Sequence, residues 1–158
     1  MIEIRKLKSN DDLGDLIALS RVFFQEYQNH DDKFYNIDTL EDEHIASFFK
    51  RSIDSENGLT YIALDGEKVV GYITVSIQGQ APFYEVQKCG NISGLMVSPQ
   101  YRHKGIGKRL VDKAVAYFKE NGVAYYRLFT SVNNETGIRF YESCGLRHFQ
   151  TIMMGEIE

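Results

Sequence analysis

The chain has only two cysteines and no C-x-x-C pair, so neither a disulfide framework nor a paired-cysteine redox motif is built into it. Cys89 and Cys144 stand far apart in the sequence and are expected to be free, buried thiols. No apolar run approaches the roughly 20 residues that cross a bilayer, and the opening residues MIEIRKLKS hold no signal-peptide core. These absences predict a soluble, cytoplasmic protein with no membrane partner. Positive charge is not in excess either: 18 Lys and Arg stand against 22 Asp and Glu, for a formal net charge of -4. A general electrostatic hold on nucleic acid is thereby disfavoured. Repeats, low-complexity tracts and linkers are missing too. The 158 residues read as one domain, 1–158, long enough to bury a core.

What is present is apolar patterning at strand and helix periods. Ile2 to Leu7 alternates as a half-buried strand. A helix capped by Asn10 or Asp11 is expected to run to about Tyr27, with Leu13, Leu16, Ile17, Leu19, Val22 and Phe23 on its apolar face. Gln28 to Leu40 is polar and aromatic, and a second helix covers Glu41 to Asp54. In LTYIALDGEKVVGYITVSI two strand-like runs are joined by Asp65-Gly66, a hairpin signal. Gly79 to Gly90 is irregular and holds Pro82, which argues against a central strand. Asn91 to Val97 reads as a strand stopped by Ser98-Pro99, followed by a helix from about Gly105 to Glu120 that Asn121-Gly122 closes. Tyr125 to Val132 is a further strand, Glu135 to Ser143 a short helix capped by Gly145, and Leu146 to Ile157 a final strand. The order β-α-α-β-β-β-α-β-α-β describes one mixed α/β domain.

The unusual segment is VSPQYRHKGIGKRLVD, Val97 to Asp112, where Arg102, His103, Lys104, Lys108 and Arg109 surround two glycines. A local basic turn on an acidic chain suggests a small anionic ligand. A Walker-type loop needs glycine five positions before the G-K pair and Ser or Thr after it, and Arg102 and Arg109 occupy those places. A dinucleotide fingerprint needs a third glycine where Leu110 stands. The pattern that remains is R-x-x-G-x-G, Arg102 to Gly107, entered from a strand and opening a helix. Unpaired N–H groups and the dipole at a helix start favour an anion, and Gly105 and Gly107 let the backbone approach a pyrophosphate. The bland alternative is a solvated helix start with ordinary glycines.

Downstream, SVNNETGIRFYESCGL contains N-x-x-G-x-x-F-Y-E-x-x-G-L, with Asn134 at a strand end and Tyr141 on the same helical face about two turns on. Taken alone, Asn134 is a plain N-cap and Tyr141 a core-edge aromatic. Taken together, the two motifs, spanning Asn91 to Leu146, resemble those of the GNAT acetyltransferase superfamily. The resemblance implies an α/β (α+β) fold: a mixed, mostly antiparallel central sheet flanked by helices, with a splayed strand pair forming an acetyl-CoA slot. It implies acetyl-CoA as co-substrate and no metal, and no H-E-x-x-H or clustered Cys/His set is present to bind one.

Carried over by position, Leu95, Met96 and Val97 would pair with the pantetheine arm and polarise the acetyl carbonyl, with N–H donation near Met96 and Val97. Arg102, His103, Lys104, Gly105, Ile106, Gly107 and Lys108 would bind the pyrophosphate, chiefly through main-chain N–H groups. Asn134 would hydrogen-bond the pantetheine arm, and Tyr141 would protonate the departing thiolate as general acid. The reaction implied is direct attack of a primary amine, on a small molecule or a protein lysine, on the thioester.

The sequence departs from the family pattern at the base. Members that acetylate protein N-termini carry a glutamate where Phe129 stands here, which argues against that role, and Asn91 to Val97 holds no carboxylate. Glu85 is the nearest upstream carboxylate and the expected base, with Glu26, Asp31, His30 or a water relay as alternatives. The stretch Phe23 to Tyr35 is the expected acceptor wall, with Glu26, Tyr27 and Asp31 as substrate contacts for a cationic amine. Pro82 to Glu85 would line the opposite side. Two other functions stay open: a non-catalytic acetyl-CoA or CoA-binding sensor, and, less favoured, a nucleic-acid binder using the basic turn. The resemblance leaves the oligomeric state open between monomer and homodimer.

Overall fold

A computed structural model describes residues 1–158. The chain runs β1 (Ile2–Lys6), α1 (Gly14–His30), α2 (Asp42–Asp54), β2 (Gly58–Asp65), β3 (Lys68–Gly79), β4 (Lys88–Val97), α3 (Ile106–Glu120), β5 (Tyr126–Arg127) and α4 (Glu135–Ser143), with 3-10 turns at Ile37–Thr39 and Pro99–Tyr101. The strands form one sheet in the order β1-β2-β3-β4-β5. All neighbours are antiparallel except β4 and β5, which are parallel.

The sheet buries both faces. On one face Leu16 and Leu19 of α1 and Ile45 and Phe49 of α2 pack on Ile62, Leu64, Tyr72 and Met96. On the other, Leu110, Val111, Ala114 and Phe118 of α3 pack on Tyr61, Ala63, Ile73, Val75 and Ile92. Each buried Leu, Ile, Val, Phe or Met among them contributes about 1.5–3 kcal/mol, so the central strands are held from both sides. The hydroxyls this burial encloses are paired: Thr60 lies 2.7 Å from both Ser52 and Thr74. No helix is long and apolar enough to cross a membrane.

The hairpin at Asp65-Gly66 forms as expected, with Gly66 at φ 62. Helix α1 starts later than its sequence signals suggest. Asn10 and Asp11 do not cap it. The Asp11 carboxylate instead binds the Arg5 guanidinium at 2.8 and 2.9 Å and the Lys8 N–H at 2.7 Å, while Asp12 accepts from Gly14 N–H. Val22, placed on the apolar face from its spacing, is 38% exposed.

Two strands are overturned. The stretch Tyr125 to Val132 keeps only Tyr126–Arg127 in the ladder, because β4 and the chain after β5 part beyond Asn91 and Arg127. The final strand over Leu146 to Ile157 is absent. A strand needs a partner, and the short β5 edge supplies no ladder for it. Phe149, Ile152, Met153 and Ile157 accordingly stand exposed.

Candidate active site

The parting of β4 from β5 opens one edge of β4. Ser98 N–H donates to the Val70 carbonyl at 2.8 Å, and Met96 stands opposite Tyr72. Successive residues of an antiparallel ladder turn their backbone groups to opposite sides, so Met96 and Ser98 spend theirs on β3. Leu95 and Val97 turn theirs toward the other edge, where β5 has already left the ladder. This corrects the expectation for Met96: its N–H is committed to the sheet, and the open donors belong to Leu95 and Val97. The Met96 side chain is buried among α1 and α2.

Beyond Val97 the Pro99–Tyr101 turn redirects the chain into the basic segment. His103 at φ 60 and Gly105 at φ 77 both adopt the left-handed conformation, which curls the backbone N–H groups toward a common side. None of the N–H groups from His103 to Lys108 has a partner within the chain, and the first helical bond of α3 is Arg109 N–H to the Gly105 carbonyl at 3.1 Å. The two glycines are required for different reasons. A Cβ on Gly105 would meet open space, so its conformation is what demands glycine, whereas a Cβ on Gly107 would lie 3.2 Å from the Phe140 ring.

Most of the cations of the turn have partners of their own. Lys104 sits over the Tyr101 ring, 5.0 Å from its centroid. Lys108 pairs with Asp112, and Arg109 donates to the Ile2 carbonyl. His103 forms no hydrogen bond or ion pair. The donors that the turn leaves without any partner are the main-chain N–H groups from His103 to Lys108 and the His103 ring.

Arg102 points back into the parting of the strands. Its Nε donates to the Val97 carbonyl at 3.0 Å and its Nη2 to Glu26 Oε1 at 2.8 Å, while Met96 Sδ lies 3.6 Å from Nη2. The last turns of α1 thus reach the β4 side of the parting through Glu26, and they reach the β5 side as well. Tyr27 Oη donates to the Phe129 carbonyl at 3.3 Å, and Asn133 Nδ2 donates to the His30 carbonyl at 2.9 Å.

Helix α4 completes the far wall. Asn134 caps it, accepting from Gly137 N–H at 3.1 Å, and its Nδ2 donates to Thr130 Oγ1 at 3.0 Å. A side-chain amide has two donor hydrogens and two acceptor lone pairs, so capacity remains for a ligand. The Tyr141 phenol is pushed up to about 12, first by burial and then by the neighbouring Tyr27 and Cys144. Burial likewise raises Tyr27. The Tyr141 hydroxyl makes no hydrogen bond within the chain and keeps its proton through the neutral range.

The structure gathers Leu95, Val97, the 102–108 turn, Glu26 and Tyr27 around the parting, and α4 carries Asn134 and Tyr141. Glu85 stays outside this group. It is exposed in the loop before Lys88, at the opposite end of β4 from Leu95, and seven residues of extended strand span about 23 Å. Phe83, in the same loop, stacks on Tyr84 and is exposed. Asp31 lines an open, polar recess of about 860 Å³ together with Gln28, Asn29, His30, Asp32, Lys33 and Asn133. Asn133 was not among the expected site residues, and Asp32 was expected only as part of the Phe23–Tyr35 wall. The Asn133-Asn134 doublet at a strand end was the available signal, since only one of the two can cap the helix.

The sheet opens along one strand, beside a turn with unpaired N–H groups that starts a helix, an arrangement that can accept an anion next to an extended chain. The Acetyltransferase (GNAT) family model matches residues 19–146, and the chain belongs to that family. An uncharacterized N-acetyltransferase of Archaeoglobus fulgidus is 31% identical over 147 residues, covering 92% of this chain and 93% of the relative. Among solved structures, a mutant of the BH1408 protein of Bacillus halodurans superposes with a TM-score of 0.86 at 22% identity, covering 99% of each chain. An aminoglycoside N-acetyltransferase in complex with CoA superposes at 0.78 with 15% identity, over 99% of this chain and 95% of that one. At these identities the two structures show the fold alone.

Proposed function

We propose that the chain transfers the acetyl group of acetyl-CoA to a primary amine, on a small molecule or a protein lysine, by direct attack on the thioester. The observation that carries this reading is the run of unpaired N–H groups from His103 to Lys108, continuous with the open β4 edge at Leu95 and Val97. A diphosphate suits such a nest at a helix start, and an extended amide-bearing arm suits an open strand edge. The family membership and the CoA-bound fold neighbour support acetyl-CoA as the donor.

Acetyl-CoA supplies an acyl group already activated as a thioester. The Val97 N–H, with that of Leu95, would offer donors along the edge where negative charge develops on the acyl oxygen, an arrangement worth about 3 kcal/mol. Tyr141, still protonated at neutral pH, would donate to the departing sulfur, and the proton that the nitrogen sheds on becoming an amide would pass through water to restore the phenol. Asn134 would use its remaining hydrogen-bonding capacity on the arm. With Glu26 engaged by Arg102 and Glu85 in the exposed loop before Lys88, the amine is taken to lose its proton to water, directly or through His30 or Asp31 in the recess at the end of α1.

The polar recess at the end of α1, with Asp31 and Asp32, supports a cationic acceptor. An amine acceptor also accords with the fold neighbour that is named for an aminoglycoside. The test is release of the CoA thiol from acetyl-CoA across a panel of polyamines, aminoglycosides, amino acids and lysine peptides. Amine-dependent release supports the reading. Binding of acetyl-CoA without release under every amine would make the chain a CoA-binding module instead.

A further inference from the structure

We propose that Glu26 is a positioning residue for the donor side of the site, acting through Arg102, and is not a contact for the acceptor amine. The proposal rests on reading the 95–108 segment as the acetyl-CoA site. Glu26 and Arg102 are 76 positions apart, yet Nη2 and Oε1 meet at 2.8 Å in a half-buried setting. The same guanidinium holds the Val97 carbonyl through Nε and lies against Met96 Sδ. One planar group thus ties the end of β4, the residue that enters the anion nest, and helix α1.

The geometry gives each contact a consequence. Arg102 immediately precedes His103, whose left-handed φ of 60 begins the nest. The bond from its own Nε back to Val97 closes the intervening turn, so the direction in which the chain enters the nest depends on where the guanidinium sits. An arginine side chain has several rotatable bonds and would otherwise spread over many rotamers. The carboxylate of Glu26 selects the one that reaches Val97. The fork geometry of the guanidinium lets two nitrogens serve two acceptors at once, which an ammonium on a single stem does not reproduce. Glu26 is spent on this contact, and Asp31 and Asp32 in the neighbouring recess remain as the acidic groups facing the acceptor side.

Calorimetric titration with CoA, paired with steady-state KM values for the best amine, tests the assignment. Glu26→Ala is expected to weaken CoA binding about fivefold and to leave the amine KM within about twofold. Glu26→Gln, whose amide oxygen still accepts from Nη2, is expected to retain most of the affinity, and its native melting temperature guards against a folding artefact. Arg102→Lys is expected to bind CoA as poorly as Arg102→Ala. If Glu26 acts through Arg102, adding Glu26→Ala to Arg102→Ala weakens CoA binding no further. An amine KM that rises in Glu26→Ala while CoA affinity holds would overturn the proposal, and so would additive effects in the double variant. Failure of the unaltered chain to bind CoA would overturn the cofactor reading itself, and this inference with it.

Discussion

The ring of Phe140 on α4 stands against the backbone of Gly107 on α3, so that a Cβ at 107 would lie 3.2 Å from ring atom Cζ and 3.4 Å from Cε2. The second glycine of the R-x-x-G-x-G motif therefore serves the packing of two helices as well as the anion nest. Gly107→Ala forces the ring or the helix to move. Overpacking of this kind costs about 1–3 kcal/mol, partly offset by a helix-propensity gain of up to about 1 kcal/mol. A drop in melting temperature is expected, with weaker CoA binding. At Gly105 the space is open and only the φ of 77 is demanding. There Gly105→Asn is expected to be tolerated better than Gly105→Ala, because asparagine enters the left-handed region more readily. Melting temperatures of the three variants check both statements.

Tyr141→Phe removes the hydroxyl and little else. An acid or hydrogen-bond donor to the leaving group accounts for about a hundredfold in rate, so kcat is expected to fall by that order while CoA affinity stays within about twofold. Because burial raises the Tyr141 phenol to about 12, its proton is in place throughout the working range. The wild-type rate should climb with pH as the acceptor amine loses its proton, without a falling limb near the ordinary tyrosine pKa of about 10. A pH–rate profile of both forms tests this.

Glu85→Gln is expected to leave kcat and both KM values unchanged within about twofold. The carboxylate is exposed in the loop before Lys88, at the far end of β4 from Leu95 and Val97, and forms no hydrogen bond or ion pair. Loss of activity with a steeper pH dependence would reinstate it as the base.

The Arg5–Asp11 pair locks the start of the fold. The Arg5 hydrogen bond is the largest influence holding the Asp11 carboxyl below its ordinary 3.8. A depressed carboxyl binds fewer protons folded than unfolded, so its contribution is present above 3.8 and is lost as pH falls through the lowered folded value. Asp11→Asn should melt below the wild type at about pH 7, with the two curves converging near pH 2. Thermal melts at both pH values decide it.

Local chemistry was the legible part of this chain. The hairpin at Gly66, the helix Glu135–Ser143 and the glycine that follows it all depend on neighbours in sequence, and all stand where their residues indicate. The segment Leu146 to Ile157 alternates too, but alternation becomes a strand only where another strand offers a ladder. The site divides in the same way. The R-x-x-G-x-G turn was readable because its N–H groups and left-handed residues lie within one turn of chain. The partner of Arg102 was not, since it comes from a helix 76 positions away. The commitment of the Met96 N–H follows from strand register, which no single segment contains. Asp11 shows the converse hazard: a residue type suited to capping was taken by Arg5 instead.

The most direct test of the account is a titration of the isotope-labelled chain with CoA, followed through its backbone amide resonances. The account predicts that the amides from His103 to Lys108, together with Leu95 and Val97, move most and saturate together, while those of the β3–β4 loop around Glu85 stay still. Saturable CoA binding that leaves the His103–Lys108 amides unmoved would contradict it.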